Sequence, residues 1–83
     1  MSDVHRSGLR VYVNTVGADT FTKHGVFYSR RKNGPYYRWH YEAEGDRWCG
    51  SRVHIEATPK SFRMAQGRVP PTLRTRLLEH YDD

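Results

Sequence analysis

The sequence has a single cysteine and no long apolar run, and each absence excludes a class of protein. Cys49 cannot form a disulfide within the chain, whereas small secreted domains usually carry several. The longest apolar runs, such as residues 11–13 and 26–28, span three residues, whereas a membrane-spanning helix needs about 20. The amino terminus shows no apolar segment of the kind that a secretory signal requires. We therefore expect a reduced, cytoplasmic protein that makes no contact with a membrane.

Aliphatic side chains are also scarce, since Leu, Ile, Val and Phe together number 15 of the 83 residues. Combined with a net charge of +5, this composition favours disorder. The 11 aromatic residues counter that tendency, because each Phe, Tyr or Trp can bury about 150–250 Å². A chain of this length has room for one core. We expect a single small domain over residues 1–83, with frayed tails at residues 1–7 and 82–83.

Acidic side chains are missing from residues 23–41, and this segment carries a charge equal to the net charge of the whole chain. Its cations are Lys23, Arg30, Arg31, Lys32 and Arg38. Eleven of the 14 cations in the chain are arginine, which forms bidentate contacts with phosphate or guanine and stacks on aromatic rings. The isoelectric point near 9.7 adds a general attraction to anionic partners. This charge pattern favours nucleic acid as the partner.

Four segments show the alternation or the β-rich composition that is typical of strands. They are residues 9–16, 21–29, 36–42 and 47–55. Turns separate them at residues 17–19 and 43–46, and Asn33-Gly34 predicts a type I′ hairpin turn between the second and third strands. The sequence therefore predicts an antiparallel meander over the first two-thirds of the chain.

The last third of the chain has a helical pattern. Thr58 as an N-cap and Pro59 at the first helical position predict a short helix or a helical turn over residues 60–66. Residues 72–81 then carry an apolar stripe at helical spacing, formed by Leu73, Leu77, Leu78 and Tyr81. That stripe must be buried against the sheet, since a domain of this size offers no other apolar surface. The predicted fold class is α+β, with an antiparallel sheet of about four strands, in one piece or as two small sheets, followed by a C-terminal helix packed on it.

One layout resembles a known group of folds. Three β segments with a basic hairpin precede the first predicted helix. This run contains Gly25-Val26, the basic residues that follow them, and Trp39. Over residues 25–66 this order is similar to the small sheet-plus-helix DNA-binding domains of the integrase amino-terminal type. The resemblance is one of layout, and no functional residue is carried over from it.

The third predicted strand is the most distinctive segment. Alternation puts Tyr37, Trp39 and Tyr41 on one face, and the opposite face is formed by Tyr36, Arg38, His40 and Glu42. The aromatic face is either the core of a leucine-poor protein or an exposed platform on which bases stack. Pairing of Glu42 with Arg47 separates this face from that of Cys49, whereas a one-residue bulge joins the two faces.

The sequence contains no recognisable catalytic or metal-binding motif. Cys49 has no neighbouring partner that would activate its thiol. His40, Cys49 and His54 share one predicted hairpin, but the short C-x-x-C or H-x₃₋₅-H pairs that are typical of zinc sites are missing. We therefore expect no catalytic residue, no metal and no cofactor.

We interpret the chain as a small basic binding module without enzymatic activity, which binds nucleic acid through a basic hairpin and an aromatic strand. The candidate binding residues are Arg30, Arg31, Lys32, Arg38, Tyr37, Trp39 and Tyr41. The alternative is a structural or assembly protein that contacts another protein, because Tyr, Trp and Arg are also enriched at protein interfaces. Short basic chains of this style are similar to orphan proteins of phage and prophage regions, so this alternative includes a phage- or prophage-type component.

Overall fold

Five antiparallel strands in one sheet and a single α-helix make up the regular structure of the protein, in a computed structural model that describes residues 8–14 and 25–81. The strands are β1 Arg10–Asn14, β2 Phe27–Arg30, β3 Tyr36–Glu42, β4 Arg47–Val53 and β5 Phe62–Met64, and the helix is α1 Pro71–His80. Their spatial order is β4-β3-β2-β1-β5. The predicted α+β class is confirmed, with one strand more than expected and a single sheet.

The β3–β4 hairpin has the register in which Glu42 pairs with Arg47 and Tyr41 pairs with Trp48. The loop between the strands closes without a bulge, and Asp46 takes a positive φ of 49° to complete it. Successive side chains of a strand point to opposite faces, so the face of Tyr41 and Trp48 is separate from the face of Cys49. The sequence left two registers open, and the structure adopts the one without a bulge, in which the two faces stay separate.

The β2–β3 turn differs from the predicted type I′ turn at Asn33-Gly34. The Gly34 N–H donates to the Arg31 carbonyl at 2.8 Å, so the central residues are Lys32 and Asn33. Asn33 alone of these two has a positive φ, 61°, whereas type I′ requires positive φ at both central positions. Asparagine tolerates this conformation because its short polar side chain hydrogen-bonds locally, and the glycine is displaced to the last turn position.

The predicted helix over residues 60–66 is wrong. This segment forms β5, which pairs with β1, and the Ala65 N–H donates to the Val11 carbonyl at 2.8 Å. A 3-10 turn follows at Gln66–Arg68. Phe62 explains the outcome, since its buried ring lies 4.7 Å from the Tyr28 ring and 5.6 Å from the Tyr12 ring. Strand pairing and aromatic packing outweigh the local capping signal, and residues 25–66 therefore contain no α-helix, unlike the layout that they resemble.

The main core lies between α1 and one face of the sheet, here called the helix face. Leu73 and Leu77 have no exposed surface and belong to the same buried cluster as Val11, Phe27 and Trp39. The predicted apolar stripe of the helix is confirmed, and its outer members, Leu78 and Tyr81, are half-buried against this cluster.

A second aromatic cluster lies on the opposite side of the sheet, here called the open face. β4 and β5 are the two edges, so residues 54–61 must cross from one edge to the other. They cross on the open face, where the Tyr36 hydroxyl hydrogen-bonds to the Thr58 hydroxyl. The rings of this cluster are Tyr12, Tyr28, Tyr36 and Phe62. The crossing segment and these rings cover part of the open face.

Several predictions fall on residues that the structure does not describe. The frayed tails at residues 1–7 and 82–83, the turn at residues 17–19 and the first part of the second strand, residues 21–24, lie outside the described residues. Within the described part, no helix has the length and apolar character needed to cross a membrane.

Candidate nucleic-acid interface

The three aromatic residues predicted to bind nucleic acid lie on the helix face of β3. Trp39 is fully buried, and its indole N–H donates to the Ser29 hydroxyl at 2.8 Å. Tyr37 and Tyr41 are half-buried and pack against the same core. Of the two interpretations open from the sequence, the core interpretation describes Trp39, because a fully buried ring offers no face on which a base can stack.

Arg30 and Arg31 are occupied by contacts within the protein. The Arg30 guanidinium lies 4.9 Å from the centre of the Tyr36 ring, and its Nη1 donates to the Tyr36 hydroxyl at 3.3 Å. Arg31 donates to the Tyr81 carbonyl at the end of α1 and lies 5.3 Å from the centre of the Tyr81 ring. A cation is stabilising at a helix C-terminus because the last carbonyls carry partial negative charge. Arg31 thus ties the hairpin tip to the helix, a role that the sequence did not indicate.

Lys32 and Arg38 are the exposed members of the predicted set. Both side chains face solvent, and neither forms an ion pair with a residue in the described ranges. Lys32 sits at the centre of the β2–β3 turn, and Arg38 lies on the open face beside Tyr28, its cross-strand partner on β2. Among the described residues, a ligand can reach these two cations without breaking any contact of the fold.

Two further arginines join the predicted cations at the same end of the sheet. Arg10 begins β1 opposite Arg30, and Arg52 lies on β4 opposite Tyr37. Both are exposed. We call the whole group the basic end, and its members are Arg10, Arg30, Arg31, Lys32, Arg38 and Arg52. Sequence reasoning missed Arg10 and Arg52 because each is isolated along the chain and reaches the group only through strand pairing.

The acidic side chains of the β3–β4 turn lie at the other end of these strands. Glu42 ends β3, and Glu44 and Asp46 belong to the turn that follows. One acid, Glu56, lines a groove at the basic end together with Arg30 and Arg52. The described part of the hairpins is therefore electrically polarised along the strands, with cations near the β2–β3 turn and carboxylates near the β3–β4 turn.

Two tyrosines of the open face lie within reach of the basic end. Tyr12 on β1 pairs with Tyr28 on β2, which pairs in turn with Arg38 on β3. Both rings are half-buried. The alternation of β1 placed Tyr12 on the same side as Arg10, but only the sheet shows that Tyr28 and Arg38 continue the row.

Three titrating groups of the described chain, Tyr41, His80 and Tyr81, have shifted pKa values. Burial is the main cause that raises the pKa of Tyr81, and a hydrogen bond to Asp46 raises the pKa of Tyr41. Burial, and secondly Arg76, lowers the pKa of His80. The basic end binds phosphate by charge, since guanidinium and ammonium groups are cationic at neutral pH.

Comparisons of the chain with protein-family models, with curated proteins and with solved structures find no match.

Proposed function

We propose that this protein is a non-enzymatic nucleic-acid-binding module that holds the phosphate backbone at its basic end. The observation that carries the proposal is the gathering of six cations from four strands and one turn at a single end of the sheet. The acids of the β3–β4 turn lie at the opposite end, so the field at the basic end is positive. Phosphate contacts of this kind supply most of the affinity of non-specific nucleic-acid binding.

The exposed cations carry the direct contacts in this proposal. Arg10, Lys32 and Arg38 reach solvent and are not held by described neighbours. Arg30 and Arg31 add their charges to the field while their side chains stay bound to the protein. Tyr28, half-buried beside Arg38, offers part of a ring to a base, in the manner of the stacking contacts of single-strand binding proteins. A reduced, cytoplasmic setting, which the single cysteine favours, belongs to the same proposal.

The test compares two triple variants that remove the same charge. In the first, Arg10→Gln, Lys32→Gln and Arg38→Gln replace exposed cations of the basic end. Affinity for labelled single- and double-stranded DNA and RNA is measured over a range of salt concentrations. The slope of log affinity against log salt should fall by about one unit for each lost phosphate contact, and affinity should fall about equally for all sequences.

The matched control replaces exposed cations elsewhere, namely Lys60→Gln, Arg68→Gln and Arg74→Gln. Both variants change the net charge by the same amount, so the control shows what the same loss of charge does at other positions. We expect the control to keep the salt slope of the original protein. Equal losses in the two variants would show that no localised interface exists. Absence of binding to every nucleic acid at low salt would reject the proposal and leave the assembly-protein alternative.

A further inference from the structure

A group of three metal-ligating side chains lies on the open face of the β3–β4 hairpin. His40 on β3 and Cys49 on β4 are direct cross-strand partners, and Glu42 lies two residues beyond His40, so it shares their face. The ligand atoms of the three side chains all lie within 4.8 Å of one another. The Cys49 Sγ and the Glu42 Oε2 are 3.8 Å apart.

The spacing of these atoms is close to that of a zinc site. Bonds of about 2.0–2.3 Å in tetrahedral geometry place neighbouring ligand atoms about 3.5 Å apart. The Cys49–Glu42 distance of 3.8 Å is already close to this value. The other ligand atoms lie within 4.8 Å of one another, and small rotations of the half-buried side chains would shorten those distances to about 3.5 Å. Because both strands are fixed by their register, the backbone need not move.

His40 provides a second observation. Its Nδ1 is buried and makes no hydrogen bond within the part of the chain that the structure describes. A buried polar atom without a partner is costly and calls for a physical reason. A ring nitrogen of His40 lies within 4.8 Å of the Glu42 and Cys49 ligand atoms, and a metal bound at Nδ1 would supply the missing partner.

Glu42 is held in a position that suits a ligand. Its Oε1 lies 3.8 Å from the Arg47 Nε, while its Oε2 faces the Cys49 thiol. One carboxylate oxygen of Glu42 therefore contacts Arg47, and the other faces the cluster. In many metal sites a residue outside the coordination shell orients a ligand in this way. Arg47 is mostly exposed, at 69% of its side-chain surface, and can turn toward solvent when the metal adds its own charge.

We propose that His40, Glu42 and Cys49 bind one divalent transition-metal ion, with Zn²⁺ as the preferred ion. Thiolate, imidazole and carboxylate are the three protein ligands of zinc, whereas Mg²⁺ and Ca²⁺ take oxygen ligands. On binding, the Cys49 thiol loses its proton to solvent and its sulfur bonds to the metal. Three protein ligands leave one coordination position for water. The proposal goes beyond nucleic-acid binding and does not depend on it.

The sequence predicts no metal site, and the potential ligands that share the predicted hairpin are His40, Cys49 and His54. His54 lies beyond β4, where its mostly exposed ring is 3.9 Å from a Glu56 carboxylate oxygen. Glu42 takes its place because alternate residues of one strand and their partner on the next strand converge on one face. Motifs with short spacings along the chain do not reveal such a site.

The test uses the full chain without a purification tag and adds Co²⁺ as a probe, followed by Zn²⁺. Cobalt should produce the near-ultraviolet charge-transfer absorption of a thiolate–cobalt bond, and zinc should abolish it at one equivalent per chain. Cys49→Ser should remove the absorption. Glu42→Gln and His40→Gln should each weaken zinc binding, measured by calorimetry, by more than about 10-fold. Affinity should also fall as the pH is lowered, because protons compete with the metal.

His54→Gln is the matched control, since it removes a histidine outside the trio and should leave zinc affinity unchanged. Far-ultraviolet circular dichroism of each metal-free variant separates loss of a ligand from loss of the fold. If one of the ligand variants misfolds, the ligand variants that fold and the cobalt spectrum of the original protein still test the proposal. A cobalt complex without thiolate absorption, or folded ligand variants that bind zinc as tightly as the original protein, would overturn the proposal.

Discussion

At the scale of single residues, Trp39 organises the main core. Its indole N–H donates to the Ser29 hydroxyl at 2.8 Å, and the same hydroxyl hydrogen-bonds to the Tyr81 hydroxyl at 2.8 Å. Buried polar atoms are costly when they lack partners, and this chain of bonds satisfies three of them at once. Around the ring, His80 packs edge-on at 5.2 Å and the Arg76 guanidinium lies 5.6 Å from it. The aromatic residues thus replace the aliphatic side chains that the sequence lacks.

Gly50 is required by the same ring. It pairs with Trp39 across β3 and β4, and a Cβ at this position would lie 2.6 Å from the Trp39 Cζ3 atom. Because Trp39 is buried and has no room to withdraw, we expect Gly50→Ala to destabilise the protein by about 1–3 kcal/mol. Urea unfolding measures the effect.

The control for this prediction is Gly67→Ala, since a Cβ at Gly67 meets no atom within 4 Å. We expect a change within about 0.5 kcal/mol there. Equal stability of the two alanine variants would show that the Trp39 ring does not press on Gly50.

His80 should make stability depend on pH. Burial, and secondly the charge of Arg76, lowers its pKa in the folded state below the usual value near 6.5. The unfolded chain therefore binds the proton more tightly, so stability falls as the pH drops from about 6.5 through the folded pKa, and no loss arises above that window. Thermal melts between about pH 5 and pH 7.5 should show His80→Gln losing less stability on acidification than the original protein.

Arg76→Gln tests the two causes of the His80 shift separately. It removes the smaller, electrostatic cause and leaves burial in place. We expect a pH dependence intermediate between those of the original protein and His80→Gln. If His80→Gln loses as much stability on acidification as the original protein, groups other than His80 cause the pH dependence.

At the scale of elements, α1 is fastened to the sheet at both ends. The Trp48 indole donates to the Thr72 hydroxyl at 2.9 Å near the helix start. At the other end, Ser29 binds the Tyr81 hydroxyl and Arg31 binds the Tyr81 carbonyl. These contacts join β4, β2 and the hairpin tip to one helix. Arg31, at the tip of the β2–β3 hairpin, is therefore positioned in part by α1, which covers the helix face of the sheet.

The helix should be indispensable to the fold. Leu77 has no exposed surface, and Leu77→Ala should cost about 2–5 kcal/mol, a large share of the stability of a small domain. Leu78→Ala is the comparison, since Leu78 is half-buried and should lose less. Circular-dichroism melts of the two variants give the ranking. A Leu77→Ala melt like that of the original protein would contradict the packing of α1 on the sheet.

At the scale of the whole molecule, charge is divided between two ends of the sheet. Cations gather near the β2–β3 turn, while Glu42, Glu44 and Asp46 lie near the β3–β4 turn. Like charges held together repel one another, which costs stability unless a ligand or salt neutralises them. Such a cost is expected of a surface that serves binding.

This repulsion predicts how salt acts on stability. In about 0.01 M salt, where charges interact over about 30 Å, the variant Arg10→Gln, Lys32→Gln, Arg38→Gln should be more stable than the original protein, by up to about 1 kcal/mol. In about 1 M salt the difference should vanish. Thermal melts at both concentrations provide the measurement.

The variant with replacements at Lys60, Arg68 and Arg74 serves as the control for this prediction too. It removes equal charge from dispersed positions, so its gain at low salt should be smaller. A gain as large as that of the basic-end variant would mean that net charge, and not its clustering, governs stability.

The elements that could be read from the sequence are those whose pattern lies in neighbouring residues. Strand β3 has the predicted bounds, 36–42, because alternation with period two runs through it unbroken. The sequence also predicts the helical stripe of Leu73 and Leu77 for this reason, since a period of 3.6 is visible within ten residues. The charge pattern likewise placed cations at the β2–β3 hairpin, and Arg30, Arg31, Lys32 and Arg38 are four of the six cations of the basic end.

The remaining features depend on residues that are distant along the chain. Phe62 joins β1 instead of starting a helix because its ring finds Tyr12 and Tyr28 across the sheet. The helix covers the face of Trp39, which removes that ring from the surface, and local alternation is the same whichever face is covered. The basic end and the cluster of His40 with Cys49 arise from strand register. Register is set by packing of the whole sheet, since a shift of one residue would exchange its two faces.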